Sequence, residues 1–290
     1  MILITGASGS AGGAVLREVA GSGAEFRAMY RSKDDAAKAP AGTPTVIADF
    51  SDRASLGRAL EGIERVYIVC APIPELVELE GNMIDACQQA GVRHIVLNSA
   101  FGAGDVPKSF PAWHFQVEQK LRNSGIAHTI LRPNGFLQNI VTYFAPSIRT
   151  QSAFYASIGD AKISLIDVRD VSAVAAKILF EPQSHAGKTY EIHGPEAVSN
   201  RAVAERISRV VGRQVSYVDI SEDAMRKAML DVGMPETFVN AEIELEGYYR
   251  SGRGGVVDGL VARLLGRPER TLDAYLRENV AAFQSQAATA

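Results

Sequence analysis

The chain opens with Ile2-Leu3-Ile4, which runs without a linker into Thr5-Gly6-Ala7-Ser8-Gly9-Ser10-Ala11-Gly12-Gly13 and then into a helical pattern. A short apolar strand, a glycine-rich turn and a helix, in that order, form a cradle for phosphate. Gly6 permits the tight turn off the strand, Gly9 lets backbone approach a pyrophosphate, and Gly12 allows the helix to pack closely on the strand. The helix then turns its free amides and positive dipole end toward the phosphates. Three glycines in a Gly/Ala/Ser-rich turn would also suit a flexible loop; the flanking strand and helix argue for the cradle. No Gly-Lys-Ser/Thr follows, so a triphosphate-binding P-loop is excluded.

Short apolar segments recur behind this one at Phe26-Tyr30, Thr45-Ala48, Arg65-Val69, His94-Asn98 and His128-Leu131. Helix-length stretches separate them at 11–20, 52–60, 74–89 and 111–123, with Gly91 and Gly125 placed as C-terminal caps. This alternation predicts an α/β fold: a Rossmann-type doubly wound parallel sheet with both faces covered. After Arg132-Pro133 the rhythm changes. A helix is expected over 135–140, strands near 154–155 and 162–165, a helix from Asp167, a strand at 190–192, and helices at 200–211, 222–231, 235–249 and 272–283. The organisation expected is a nucleotide-binding domain over 1–150 and a smaller α/β C-terminal lobe over 151–290, with about 162–182 returning to the first domain. Arg250-Ser251-Gly252-Arg253-Gly254-Gly255 reads as a mobile loop or plain surface connection, and the tail after Phe283 is expected to fray.

In such folds the residue after the second strand reads the adenosine ribose, a carboxylate for NAD and an arginine for a 2′-phosphate. The first charge met here is Arg31, with Asp34 and Asp35 only in the next turn, so NADP(H) is expected over NAD(H). Asp49-Phe50, after the third strand, suits an adenine pocket, although Asp49 could instead cap the next helix, as could Ser51 or Asp52. Cys70-Ala71-Pro72 leaves room for the second ribose at the end of the fourth strand. Asn98-Ser99-Ala100 ends the fifth, and Pro133-Asn134-Gly135-Phe136 ends the sixth, where a nicotinamide would lie. All these ends share the sheet's carboxyl edge, where doubly wound folds bind ligands.

Composition narrows the partners. Thirty basic and 33 acidic residues give a net charge of -3, which offers no electrostatic case for nucleic acid or an anionic membrane. Two cysteines, Cys70 and Cys87, in apolar surroundings suggest neither a disulfide framework nor a metal site. With no basic leader before the first strand and no apolar run of membrane-spanning length, the protein is expected in the cytoplasm, as a monomer or homodimer acting on a small molecule.

At this level of detail the chain resembles the NmrA-like branch of the atypical short-chain dehydrogenases, and within it the triphenylmethane reductase and NADPH-dependent quinone oxidoreductase group. The resemblance rests on the 6–12 glycine turn, Arg31, Asp49-Phe50, the stretch 123–133, Asp167-Val168-Arg169-Asp170, His193-Gly194-Pro195-Glu196 and Gly233-Met234-Pro235-Glu236. It implies an NADP(H)-binding Rossmann domain and a small C-terminal lobe closing a substrate cleft. Some members of the family reduce quinones or dyes, whereas others bind the dinucleotide as sensors without turning anything over.

Ordinary short-chain dehydrogenases pair a tyrosine with a lysine one turn later, and none of the nine tyrosines here has a lysine four residues on. His114 and Glu118 occupy that helical spacing instead. They read either as a proton-donating pair centred on His114 or as an exposed pair that supports the helix by a few tenths of a kcal/mol. Quinones and cationic dyes take hydride directly, so a missing acid matters less for them than for a carbonyl. Phe101, Trp113, His114, Phe136, Asn139, Tyr143 and Phe154 form an aromatic-rich set suited to a flat acceptor. The expected activity is NADPH-dependent reduction of quinones or similar conjugated, electron-poor acceptors; the alternative is a non-catalytic NADP(H)-binding sensor.

Overall fold

The computed structural model describes residues 1–284 of the 290; the tail expected to fray lies, beyond Gln284, outside them. The first six strands are β1 (Ile2–Ile4), β2 (Phe26–Tyr30), β3 (Thr45–Ile47), β4 (Arg65–Ile68), β5 (His94–Asn98) and β6 (Ala127–Pro133). Helices α1 (Ser10–Ala20), α2 (Lys33–Ala36), α3 (Arg53–Ala59), α4 (Leu76–Gln89) and α5 (Phe110–Asn123) alternate with them. Next come α6 (Ala145–Gln151), β7 (Ala153–Ala156), β8 (Lys162–Ile163), α7 (Val168–Phe180), β9 (Thr189–Ile192) and β10 (Val198–Ser199). The chain finishes with α8 (Asn200–Val211), β11 (Ser216–Asp219), α9 (Glu222–Asp231), α10 (Glu236–Arg250), α11 (Leu260–Leu265), α12 (Leu272–Glu278) and α13 (Val280–Phe283).

The chain divides into two compact units, Met1–Pro133 with Val168–Ile192, and Asn134–Asp167 with His193–Ala290. The first unit carries a seven-stranded sheet in the order β3-β2-β1-β4-β5-β6-β9, parallel throughout. The expected doubly wound sheet is therefore present, and its order reverses between β1 and β4, the crevice where such folds take their ligands. Its strands alternate between two buried faces. Leu3, Val66, Ile68, Ile95 and Leu97 join α3, α4 and α5 residues such as Leu56, Met83, Cys87, Val117 and Leu121 in one core. Helices α1 and α7 pack together on the other face.

In the second unit β7 pairs with β11 in parallel and β8 with β10 antiparallel. Its core joins Leu137, Ile140, Ile148, Phe154, Ile207, Tyr217, Leu276 and Phe283. Met229, Val239 and Ile243, with Met225, Met234 and Phe238 against them, form a separate small cluster between α9 and α10.

Five sequence expectations need correction. The division falls after Pro133 rather than near residue 150, and the returning segment is Val168–Ile192 rather than 162–182. Chain register alone does not reveal that β9 adds to β6 and takes α7 into the first unit. The helix expected over 135–140 starts only at Gln138, because Phe136 forms a parallel β-bridge to Ile166. The expected 272–283 helix is interrupted at Asn279. The 250–255 segment is not a plain surface connection: Gly254 is buried, and its carbonyl accepts from the Ser164 amide (2.9 Å), Asn134 Nδ2 (2.9 Å) and Ser164 Oγ (3.1 Å).

Candidate functional site

At the reversal point Thr5 ties the two central strand ends together. Its Oγ1 donates to the Tyr67 carbonyl (3.0 Å) and accepts from the Val69 amide (3.0 Å). Gly6 follows with φ +60°, where a Cβ would sit 2.6 Å from Val69 Cγ1. At Gly12 a Cβ would lie 2.3 Å from the Gly6 carbonyl oxygen and 2.4 Å from that of Thr5, so α1 rests directly on the turn. Ala7 and Ala11 are buried beneath the turn, while Ser8, Gly9 and Ser10 are exposed above it. Most helices whose N-cap is Ser, Thr or Asp are closed by that side chain; Asp52, for example, accepts from Ala54 and Ser55 ahead of α3. Ahead of α1 stands Gly9, and no side chain caps the helix. Its first-turn amides thus have no side-chain acceptor among the described residues, which leaves them available to a pyrophosphate. The glycine cradle fits a dinucleotide.

Arg31 lies exposed at the end of β2 and, among the described residues, forms no hydrogen bond or ion pair. The acid that could have read an NAD ribose is committed elsewhere. Asp35 accepts from Ser32 Oγ (2.9 Å) and pairs with Lys38 Nζ (3.1 Å), while Ser32 caps α2 by accepting from the Asp35 amide. Asp49 is not the cap of α3, since Asp52 takes that role. Ser51 donates to Asp49 Oδ1 through both its amide (2.8 Å) and its hydroxyl (2.7 Å), and these bonds hold the carboxyl below its usual range. The Phe50 ring is buried in the core with α3 and α4 residues, and its carbonyl accepts from Asn82 Nδ2 (3.1 Å).

Farther along the edge, Ala71 and Pro72 are exposed, while Cys70 is half-buried with its thiol pushed up to about 11 by burial and by Glu80. Glu80 itself escaped the sequence reading. It is fully buried, neither oxygen closes a hydrogen bond of good geometry among the described residues, and burial pushes its carboxyl up to about 8 against a weaker pull from the nearby Cys70 amide. Its place on the apolar stripe Leu76-Glu80-Met83-Ile84-Cys87 was the available signal.

The His114 and Glu118 pair is neither exposed nor joined. Both side chains are buried, and the Glu118 carboxylate is taken by Ser99 Oγ (2.6 Å), Arg132 Nε (2.8 Å) and Arg132 Nη2 (2.7 Å). His114 Nδ1 has no hydrogen-bond partner, and burial pulls the imidazole down to about 4, against a smaller upward influence of Glu118. Burial thus disfavours the charged imidazolium at this position. Asn98 accepts from the Tyr67 hydroxyl (3.1 Å), Ala100 is half-buried, Phe101 is buried, and Trp113 packs edge-on against Phe110 with centroids 5.4 Å apart.

Pro133, buried, closes β6, and its carbonyl accepts from the Phe101 amide (3.0 Å). In the second unit the Asn134 side chain acts as a staple. Its Nδ2 donates to Ser164 Oγ and the Gly254 carbonyl (2.9 Å each), while its Oδ1 accepts from the Gly135 amide (2.8 Å). A Cβ added at Gly135 would lie only 3.0 Å from Leu165 Cδ2, Phe136 is half-buried, and Asn139 and Tyr143 are exposed. Phe154 is not on a binding wall: it is fully buried and stacked on Phe144, with centroids 4.4 Å apart. Among the described residues there is no cluster of acidic, histidine or cysteine side chains placed to hold a metal, and no helix long and apolar enough to cross a membrane.

This architecture has named counterparts. The chain is 35% identical over 98% of its length to the NAD(P)H azoreductase of Xenophilus azovorans, covering 99% of that protein. It is 30% identical to quinone oxidoreductase 2 of Escherichia coli, over 94% of this chain and 96% of the relative. The crystal structure of the E. coli NADPH-dependent quinone oxidoreductase complexed with NADPH superposes with a TM-score of 0.86 at 29% identity, covering 97% of this chain and 99% of that one. Citrobacter triphenylmethane reductase complexed with NADP(H) has the same TM-score at 21% identity over 96% of this chain and 99% of its own, a likeness of fold. The model of the NmrA-like family matches residues 1–258, and the chain belongs to that family.

Proposed function

We propose that the protein is an NADPH-dependent oxidoreductase that delivers hydride to quinones or similarly conjugated, electron-poor acceptors. The observation that carries the cofactor choice is the exposed Arg31 at the end of β2, without a hydrogen bond or ion pair among the described residues, near Asp35, whose carboxylate is already held by Ser32 and Lys38. A guanidinium free to fork onto a 2′-phosphate favours NADPH. The exposed turn at Ser8-Gly9-Ser10 and the uncapped α1 hold the pyrophosphate, and Asp49 keeps its second carboxylate oxygen for the adenine.

Bound NADPH supplies a hydride, and a quinone that takes it needs one further proton to become the hydroquinone. The missing Tyr-x-x-x-Lys pair and a buried His114 fit a reaction that draws this proton from water and relies on positioning. The full-length relatives named for quinone and azo-dye reduction support the same acceptor class.

The test is stopped-flow loss of NADPH absorbance on mixing with a panel of quinones and azo dyes. Acceptor-dependent oxidation is expected with at least one quinone. If NADPH binds and no member of the panel oxidises it, the reductase reading fails and the non-catalytic sensor takes its place.

A further inference from the structure

We infer that Glu118 is a positioning residue that sets the nicotinamide half of the cofactor site; the inference rests on the NADPH-dependent reading above. A carboxylate with no exposed surface is a poor stabilising device, because its desolvation offsets most of what its partners return, and apolar side chains of similar volume would serve the fold as well. What distinguishes Glu118 is the set of elements it joins. It projects from α5, accepts from Ser99, the first residue beyond β5, and clamps Arg132, the last residue but one of β6, through two parallel hydrogen bonds. Arg122, one turn along α5, adds a longer contact at 3.7 Å.

The chain leaving β5 stays zipped to β6 past the end of the strand. The Ser99 amide donates to the Leu131 carbonyl (2.7 Å), and the Phe101 amide donates to that of Pro133 (3.0 Å). Tyr67 of β4 holds Asn98 from the other side (3.1 Å). These bonds run along the carboxyl edge of β4, β5 and β6, the half of a doubly wound sheet that receives the second mononucleotide; the adenosine half falls on β1, β2 and β3. Through Ser99 and Arg132 the Glu118 carboxylate locks the start of the 99–101 turn to both α5 and β6. Its action on the cofactor cradle is through those two residues.

Glu118→Gln keeps the shape and removes the charge that pairs with Arg132. Two probes separate the halves of the site: 2′,5′-ADP, which carries only the phosphorylated adenosine half, and NADPH. Glu118→Gln should leave the 2′,5′-ADP dissociation constant within about twofold and raise that of NADPH about tenfold, the value of one charge-assisted positioning contact. The kcat per NADPH-binding site should fall about a hundredfold, with KM for a quinone such as menadione changing far less.

Ser99→Ala, a milder change, should move the NADPH constant and kcat in the same direction by a few-fold, and it decides the question if Glu118→Gln does not fold. A lowered melting temperature with the ratio of the two binding constants unchanged in both variants would overturn the inference and leave Glu118 as a structural ion pair. Wild-type protein that binds NADPH but reduces no acceptor would sink the reductase reading alone, because the ratio of binding constants is read without turnover.

Discussion

Replacing Gly12 by alanine puts two effects of opposite sign against each other. Inside an exposed helix the change favours the folded state by up to about 1 kcal/mol, since alanine is the better helix former. Gly57, interior to α3, exposed and with nothing within 4 Å of a would-be Cβ, meets that condition. Gly12 does not. Its Cβ would lie 2.3 Å and 2.4 Å from two backbone carbonyl oxygens, whereas an ordinary contact needs 3.4 Å, so α1 must retreat by about 1 Å from the turn that follows β1. Neither oxygen can swing away as the end of a side chain could. Overpacking of this kind costs about 1–3 kcal/mol, which outweighs the helix gain and leaves a net loss of about 1–2 kcal/mol. Thermal unfolding should show Gly12→Ala melting about 2–8 °C below wild type, and Gly57→Ala about 1–3 °C above it. Because the first-turn amides of α1 move with the helix, NADPH binding to Gly12→Ala should weaken by about tenfold or more, a shift of about 1 Å being large against hydrogen-bond tolerance. Gly57→Ala should bind normally. A Gly12→Ala protein that melts no lower than wild type and binds NADPH with unchanged affinity would refute both the close packing at Gly6 and Thr5 and the role of this turn as the pyrophosphate site.

Three further outcomes follow from the same geometry. Arg31→Ala should raise the dissociation constant for NADPH about tenfold while leaving NADH within about twofold, measured by fluorescence titration; equal losses for both would remove the 2′-phosphate assignment. Glu80, held near 8 in the fold against an ordinary 4.5, keeps a proton that the unfolded chain releases, so it costs stability increasingly as pH rises from about 4.5 to about 8 and by a constant amount above. Glu80→Gln should flatten that part of the stability-against-pH curve, and an unchanged slope would mean that Glu80 is ionised or hydrated in the fold. Phe154→Ala should cost about 3–5 kcal/mol in chemical denaturation while the folded enzyme keeps its KM for quinone; a raised KM with little loss of stability would return this ring to a binding wall.

The parts of the site that could be read from the chain are those governed by local rules. A strand, a Gly-x-x-Gly-x-x-Gly turn and a helix are contiguous, so the strand-turn-helix unit was legible from the first residues, and the place of Arg31 was legible because it directly follows a strand. The doubly wound sheet was legible for the same reason, since parallel strands buried on both faces must be apolar and must alternate with helices. Residues whose meaning depends on remote partners were misread. His114 and Glu118 have the spacing of a helix pair, yet Glu118 faces Ser99 and Arg132, which reach it only when β5, β6 and α5 come together. Asn134 stood at a strand end like a ligand-binding residue, and its amide is consumed by Ser164 and by Gly254, 120 residues away. Phe50 and Phe154 carry the ring a flat ligand would want, but burial is decided by what packs above them.

By itself the sequence determined the parallel α/β class, the glycine turn between the first strand and its helix and a positive charge directly after the second strand, because each follows from backbone conformation or from charge within a few residues. Tertiary structure alone decided that α7 and β9 return to the first unit, that α1 keeps an uncapped amide end, that His114 is buried, and that Glu118 serves β5 and β6. These are consequences of desolvation and of contacts between segments far apart in the chain, and no spacing rule encodes them.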